Sequence, residues 1–269
     1  MKTSKGFFWL LVMSMALTLG ACGQKSGDKA QDSSAASASA DKVVVVGSDA
    51  SYAPFEFLND KKEVQGFDAD VMTAVAAKGG FKIRFINTPW EGIFNTLQQG
   101  DRDVLASAIT ITKERSQTMD FSAPYFDARQ LIAVAKGVTD VHSFQDLKNK
   151  KIAVQTGTTG DEVVQKLLGK TNPNIKRFES MPLALKELEN GGVDAAVGDN
   201  GVVANYVKNN PQTGVVTLED TTSFAPEHYG FAVKKGNKAL LDKINSGIAA
   251  VKADGSYDTI YKKYFGDKK

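Results

Sequence analysis

Leu97-Gln-Gln-Gly-Asp-Arg-Asp103 leads into Val104-Leu-Ala-Ser-Ala108, and further along Leu188-Glu-Asn-Gly-Gly-Val-Asp194 leads into Ala195-Ala-Val-Gly-Asp199. Both stretches have the spacing Leu-x-x-Gly-x-x-Asp followed by a small, apolar run, which marks equivalent positions in two copies of one plan. Outward from them, apolar runs alternate with helical patterns. The first copy reads as a strand at 43–47, a helix at 67–78, a strand at 81–86, a helix at 91–99 and a strand at 104–110. In the first helix Val71, Met72, Val75 and Ala76 share a face, and Gly79-Gly80 ends it. After Thr139 the plan begins again: strand 151–154, helix 161–168, strand 175–178, helix 183–190 and strand 193–197. This alternation predicts an α/β fold with largely parallel sheets. The roughly 230 residues from Lys42 onward are long for one compact core and suggest two lobes.

In open α/β sheets, ligands bind beyond the carboxyl ends of the strands. Counting five from Asp103 reaches Ala108, and five from Asp194 reaches Asp199. Beyond Ala108, Thr112 is suited to cap a helix whose first turn holds Arg115. A helix N-terminus already carries partial positive charge and free N–H groups, so a guanidinium there calls for an anion. With hydroxyls from Ser107, Thr110 and Thr112, the segment reads as a socket for a small carboxylate. A solvated helix cation is the competing reading. Asp199 supplies an acid at the matching strand end, where its competing role is the N-cap of a helix beginning near Gly201. A cation and an acid facing each other across a cleft fit a zwitterion such as a free α-amino acid.

The loop from Gly47 to Phe57 leaves the first strand and crosses the cleft mouth, with Pro54 directing its course. Tyr52 and Trp90 are aromatic residues in loops at strand ends. Rim packing is their ordinary role, yet such walls also sandwich a ligand's side chain or hold a cation. Asp49 and Glu56 are the acids nearest that wall. Opposite lies Gln155-Thr-Gly-Thr-Thr-Gly160, a strand-to-helix turn that lacks the ending of a phosphate-binding loop. Thr158 and Thr159 from this turn are candidates for the ligand's charged groups, and Gln155 for its side chain.

The N-terminus has Lys2 and Lys5, an apolar stretch at 7–19, then Leu19-Gly-Ala-Cys22, which holds the chain's single cysteine. A short apolar run after a basic start reads as an export signal over 1–21, with Cys22 as a diacylated (palmitate-bearing) lipoprotein N-terminus. Residues 22–41 carry no large apolar side chain and read as a flexible tether. The chain's 33 basic residues include Lys2 and Lys5, so 31 remain beyond the leader against 31 acidic ones. That balance gives no support to nucleic-acid binding. No His, Cys and acid cluster has metal-ligand spacing, so neither a metal nor a cofactor is expected.

These residues give the chain a clear resemblance to the polar amino acid family of type II periplasmic binding proteins (solute-binding family 3). Its marks are Asp49-x-x-Tyr-x-Pro-Phe-Glu-Phe57, Gly66-Phe-Asp-x-Asp70, Ile109-Thr-Ile-Thr-x-Glu-Arg115, Met119-Asp-Phe-Ser-x-Pro-Tyr125, Gln155-Thr-Gly-Thr-Thr159 and Gly255-Ser-Tyr-x-x-Ile-Tyr-x-Lys-Tyr-Phe265. The resemblance implies a two-lobed α/β fold, each lobe a mixed sheet flanked by helices. Lobe 1 would comprise 42–130 plus 230–269 and lobe 2 131–229, joined by hinge crossings near 127–131 and 227–231. It implies a monomeric, non-enzymatic receptor, lipid-anchored outside the cytoplasm, that hands an amino acid to an ABC permease and its ATPase. Arg115, the Ala108 N–H, Thr110 and Thr159 would take the α-carboxylate, and Asp199 the α-ammonium. Tyr52 and Trp90 would flank the side chain, with Asp49, Glu56 and Gln155 reading its end. Arginine or another basic amino acid is favoured, glutamine or cystine being the alternatives. A dehydratase-like enzyme would need a further acid or base, for which His228 at the second hinge crossing is a candidate. A sensor input domain would need a signalling partner. His142 is expected to be solvated.

Overall fold

Residues 42–267 are described by a computed structural model. The expected leader, Cys22 and the tether lie outside the described residues. Among those described, no helix is long and apolar enough to cross a membrane.

The chain runs β1 (Val44–Ser48), β2 (Ser51–Tyr52), β3 (Glu56–Leu58), β4 (Val64–Gln65), α1 (Phe67–Gly79), β5 (Ile83–Asn87), α2 (Ile93–Gln99) and β6 (Val104–Leu105). Next come α3 (Lys113–Thr118), β7 (Met119–Phe121), β8 (Phe126–Ala128) and β9 (Gln130–Val134). The second lobe continues with β10 (Ile152–Gln155), α4 (Thr159–Leu168), β11 (Ile175–Phe178), α5 (Met181–Glu189), β12 (Ala195–Asp199), α6 (Asn200–Asn209) and β13 (Val216–Leu218). The chain returns through β14 (Glu227–Tyr229) to β15 (Ala232–Lys234), α7 (Lys238–Ala253) and α8 (Ser256–Phe265).

Two five-stranded sheets result, ordered β5-β1-β6-β15-β7 and β11-β10-β12-β9-β13. In each, three parallel strands are followed by two antiparallel pairings, so β15 in the first sheet and β9 in the second run against the rest. The sheets are therefore mixed rather than largely parallel, and the cause is topological. β9 and β15 each arrive from the other lobe at the carboxyl ends of the parallel strands, as the pairing of Gln130 with Asp199 records. A chain entering at that end can only run back against its neighbour. The crossings themselves, β8 and β14, pair antiparallel, with Ala128 opposite Glu227 and Phe126 opposite Tyr229.

The repeated Leu-x-x-Gly-x-x-Asp spacing now has a physical account. Leu97 and Leu188 are buried. Gly100 and Gly191 end α2 and α5 at φ 86° and 76°, backbone conformations that strain any residue with a Cβ. Asp103 donates its N–H to Val45 O (2.8 Å) and accepts from the Val45 N–H at Oδ2 (2.9 Å). Asp194 does the same with Lys151, at 2.9 and 2.7 Å. Each aspartate thus grips both polar groups of one backbone residue and sets the register of its lobe's third strand against the first.

Three expectations about elements shift. α2 begins at Ile93 because Gly92, at φ 84°, lies outside helical space. α6 begins at Asn200 with Asp199 in the N-cap position, yet the Asp199 side chain makes no capping bond. The strand expected at 104–110 shrinks to Val104–Leu105. Ala108 adopts a left-handed φ of 47° and donates its N–H to Asp68 Oδ2 (2.8 Å), not to a strand. Beyond it Thr110 bridges to Tyr229 and Ile111 donates to His228 O (2.8 Å), so 106–111 leaves the sheet to reach the hinge.

Packing follows the division only in part, since the largest core joins residues of both lobes. Alternate residues of β9, β10 and β12 (Ile132, Val134, Ile152, Val154, Ala195, Val197) form one core with Leu147 and Val164. Ile93, Leu97, Leu105, Ile109 and Met119 form another beneath Arg115's helix. The largest core runs under the hinge, where the buried Phe55 ring meets Phe67, Phe126, Tyr229 and Phe265 at 4.9–6.0 Å between centroids. α1 and α7 approach closely: a Cβ on Gly247 would fall 2.3 Å from Val75 O, so glycine is required there.

Candidate ligand-binding site

The twelve residues singled out from sequence line one cavity: Asp49, Tyr52, Glu56, Trp90, Ser107, Ala108, Thr110, Arg115, Gln155, Thr158, Thr159 and Asp199. Those from 49–115 come from the loops beyond β1, β5 and β6, from the short strands β2 and β3 and from α3, and the other four from the junction of β10 with α4 and the end of β12. Most are buried, with Glu56 fully so and Asp199 only 5% exposed.

Thr112 caps α3 by accepting the Arg115 N–H at 3.1 Å. The Arg115 side chain turns back into the cavity, donating to Thr110 O (2.9 Å) and, across the cleft, to Gly157 O (3.4 Å). Its guanidinium lies 5.5 Å from the Trp90 ring and 5.2 Å from Phe94. Among the described residues it meets carbonyls and aromatic faces but forms no ion pair. Burial pushes it below its ordinary pKa, opposed by the fields of Glu162, Asp199 and Glu227. A buried cation held this way has an unmet demand for an anion.

Asp199, at the end of β12, accepts from Tyr229 Oη (2.5 Å) and from Gln130 Nε2 (2.7 Å), one bond to each carboxylate oxygen. Burial, and then the field of Glu227, raise its pKa to about 6. At the side-chain end of the cavity Ser107 links two groups. Its Oγ accepts from the Asp49 N–H (2.9 Å) and donates to Glu56 Oε1 (3.1 Å). Glu56 Oε2 and Gln155 Oε1 are buried without a hydrogen-bond partner. Gln155 Nε2 points at Asp49 Oδ2 across the cleft, at the long distance of 3.5 Å. Burial raises the Asp49 pKa, and it raises Glu56 well above the ordinary carboxylate range, aided by the fields of Asp68 and Asp49.

Four contributors lacked any assigned role in the sequence reading. Gln130 opens β9 and joins Asp199, Thr159 and Glu227. Glu227 and Tyr229 come from hinge strand β14. Asp68, in the first turn of α1, holds both the Ala108 N–H and Tyr125 Oη (2.6 Å), and burial pushes its pKa up to about 7. Its placement inside a quoted motif was the available signal. His228 lies away from the cavity, half exposed with Nδ1 2.7 Å from Asp127, which leaves an acid–base role at the ligand without a geometric basis.

Residues 44–267 match the bacterial extracellular solute-binding proteins, family 3. The chain is 50% identical over 253 residues to a probable histidine-binding protein of Neisseria gonorrhoeae, covering 93% of this chain and 91% of that one. It is 35% identical over 234 residues to ABC transporter arginine-binding protein 1 of Escherichia coli (strain K12), covering 85% and 93%. Among solved structures it resembles the arginine-, lysine-, histidine-binding protein ArtJ from Geobacillus stearothermophilus, with a TM-score of 0.81, 44% identity and coverage of 85% and 97%. With a two-lobed fold and a cavity between paired sheets already in place, the conclusion is direct: the chain belongs to the bacterial extracellular solute-binding proteins, family 3.

Proposed function

We propose that the protein is an extracytoplasmic receptor that captures a basic L-amino acid between its lobes and hands it to an ABC importer. The observation that carries the choice of ligand is the one-sided chemistry of the cavity's side-chain end. Ionised, Asp49 and Glu56 accept only, and Glu56 Oε2 and Gln155 Oε1 stand buried without donors. A guanidinium carries five N–H donors and no acceptor, and an imidazolium two. Either satisfies these oxygens and neutralises a cluster in which Arg115 is the cation against Asp49, Glu56 and Asp199. Glutamine, with a carbonyl that needs its own donor, suits the same end less well. The names of the relatives, which specify histidine and arginine, agree with a basic ligand.

In this reading Arg115 takes the α-carboxylate and Asp199 the α-ammonium, with Tyr52 and Trp90 as walls. The lobes divide at 42–130 plus 230–269 and 131–229, hinged through β8 and β14. Cys22 carries the lipid that holds a monomer to the membrane, after removal of 1–21. The test is a thermal-shift screen of the twenty amino acids with ornithine and cystine, then calorimetry. Arginine, histidine and lysine should raise the melting temperature most. A larger shift with glutamine or cystine overturns the basic preference, and no shift with any amino acid overturns the receptor. Palmitate labelling that persists in a Cys22→Ala variant overturns the anchor.

A further inference from the structure

The hinge strand contributes one more side chain to this site. Glu227 opens β14 opposite Ala128 of the other crossing. Its Oε2 accepts from Thr110 Oγ1 at 2.7 Å and from Thr159 Oγ1 at 2.8 Å, and its Oε1 accepts from Gln130 Nε2 at 2.9 Å. One oxygen therefore takes a donor from each lobe. Thr110 lies beyond the end of β6, Thr159 opens α4, and both line the cavity.

A hydroxyl has a single proton, and a carboxylate accepts without donating. Once both threonines give their protons to Glu227, only lone pairs remain on Thr110 Oγ1 and Thr159 Oγ1. Gln130 Nε2 also lies 3.1 Å from Thr159 Oγ1, but its two protons go to the nearer Asp199 and Glu227. Beside them, Asp199 is acceptor-only. This end of the cleft thus presents nothing but acceptors from its side chains, which suits an ammonium and opposes a carboxylate. On the proposal that follows, the threonine hydroxyls would serve the ammonium and not, as the resemblance implies, the carboxylate, which would fall to Arg115.

We propose that Glu227 is a positioning residue: by drawing the Thr110 and Thr159 hydroxyl protons away from the cavity, it makes both oxygens acceptors for the α-ammonium and so confers selectivity for α-amino acids over deaminated analogues. The proposal rests on the amino-acid reading above. In Glu227→Gln, the amide must either donate to the threonines, turning their protons into the cavity, or set its NH2 against that of Gln130. The first outcome turns the acceptor face into a donor face; the second keeps the threonine protons on the amide oxygen but sets two NH2 groups against each other and displaces Gln130 from Asp199.

The experiment is calorimetry with L-arginine and 5-guanidinopentanoate, the same molecule without its α-amino group, on wild type, Glu227→Gln, Thr110→Val and Thr159→Val. For a histidine-preferring protein the pair is L-histidine and 3-(imidazol-4-yl)propanoate. Wild type should prefer the amino acid by about 100-fold or more, as hydrogen bonds to a charged group imply. In Glu227→Gln that ratio should fall by about tenfold, with Glu227→Asp restoring part of it. Each Thr→Val variant, close in shape and independent of Glu227's own folding role, should lower it by about three- to tenfold. A merely structural role weakens both ligands equally and leaves the ratio unchanged, and that result overturns the proposal. Wild type that binds no amino acid overturns the receptor reading itself, a distinct outcome.

Discussion

The ends of β6 and β12 occupy the same place in two sheets of the same order, each behind an aspartate that grips the backbone of its lobe's first strand. Beyond those ends the two lobes diverge. β6 runs into a left-handed residue, Ala108, and a short helix that aims Arg115 inward, whereas β12 stops on Asp199. The scaffold residues were kept alike and the strand ends took opposite charges. Matching strand ends can therefore lead to opposite charges, Asp199 directly at the position equivalent to Ala108 and Arg115 seven residues beyond it.

The largest expected effect breaks the first half of that pair. Arg115→Ala should weaken amino-acid binding by about 100- to 1,000-fold in calorimetry, the scale of removing one partner from a buried charge pair. Unchanged binding there removes the carboxylate socket. Asp199→Asn keeps the shape but surrenders the charge, and should lose about 30- to 100-fold. Should it lose less than Asp49→Asn, the ammonium end has been assigned to the wrong lobe.

The shared scaffold makes the opposite kind of prediction. Asp103→Ala and Asp194→Ala each strip one grip on the first strand and should destabilise the fold by about 1–2 kcal/mol in urea melts, with ligand affinity at saturating folded protein unchanged. Unequal losses, or a selective loss of binding, show that the two motifs are not equivalent. A smaller effect tests the side-chain end. Asp49→Asn should lower arginine or histidine affinity by about tenfold and glutamine affinity by much less. Equal losses mean Asp49 does not read charge.

The smallest effect concerns pH. In the ligand-free protein Asp68 and Asp199 sit at about 7 and about 6, against an ordinary 3.8. Between pH 4 and 7 such carboxyls bind more protons folded than unfolded. Their contribution to stability is therefore full below about pH 4 and is lost as pH rises past 6 to 7. Relative to Asp68→Asn, wild type should gain a few degrees in melting temperature from pH 7.5 to 5. A bound ammonium holds Asp199 ionised, so affinity runs the other way and weakens below about pH 6. Stability and affinity moving together on acidification contradicts this account.

The repeated motif, the alternation of strands and helices and most of the twelve cavity residues were legible from local spacing, while the part of the Ala108 N–H came only from the resemblance. Leu97, Gly100 and Asp103 lie within one helix turn and one loop, and Thr112 and Arg115 within a single cap. What escaped has long reach. Glu227 meets Thr110 and Gln130 across 117 and 97 residues, and no short pattern announces such a convergence. Asp68 looked like an ordinary acid in a helix's first turn, favourable to the dipole. Its part in holding Ala108 left-handed depends on where β6 ends. The reversal of β9 and β15 was hidden for a similar reason, since strand direction in a sheet depends on the route of the crossing and not on the strand's composition.

The side-by-side pairing of β8 and β14 has a practical consequence. The second lobe is attached to the first by two neighbouring strands only about 4.8 Å apart, so it is inserted through a single narrow stem. It can be handled as a cassette cut at the two stem strands and grafted onto a relative's first lobe, provided the contacts of Gly201 with Phe55 and Phe265 are kept at the joint. Such chimaeras would separate what each half contributes to choosing a ligand.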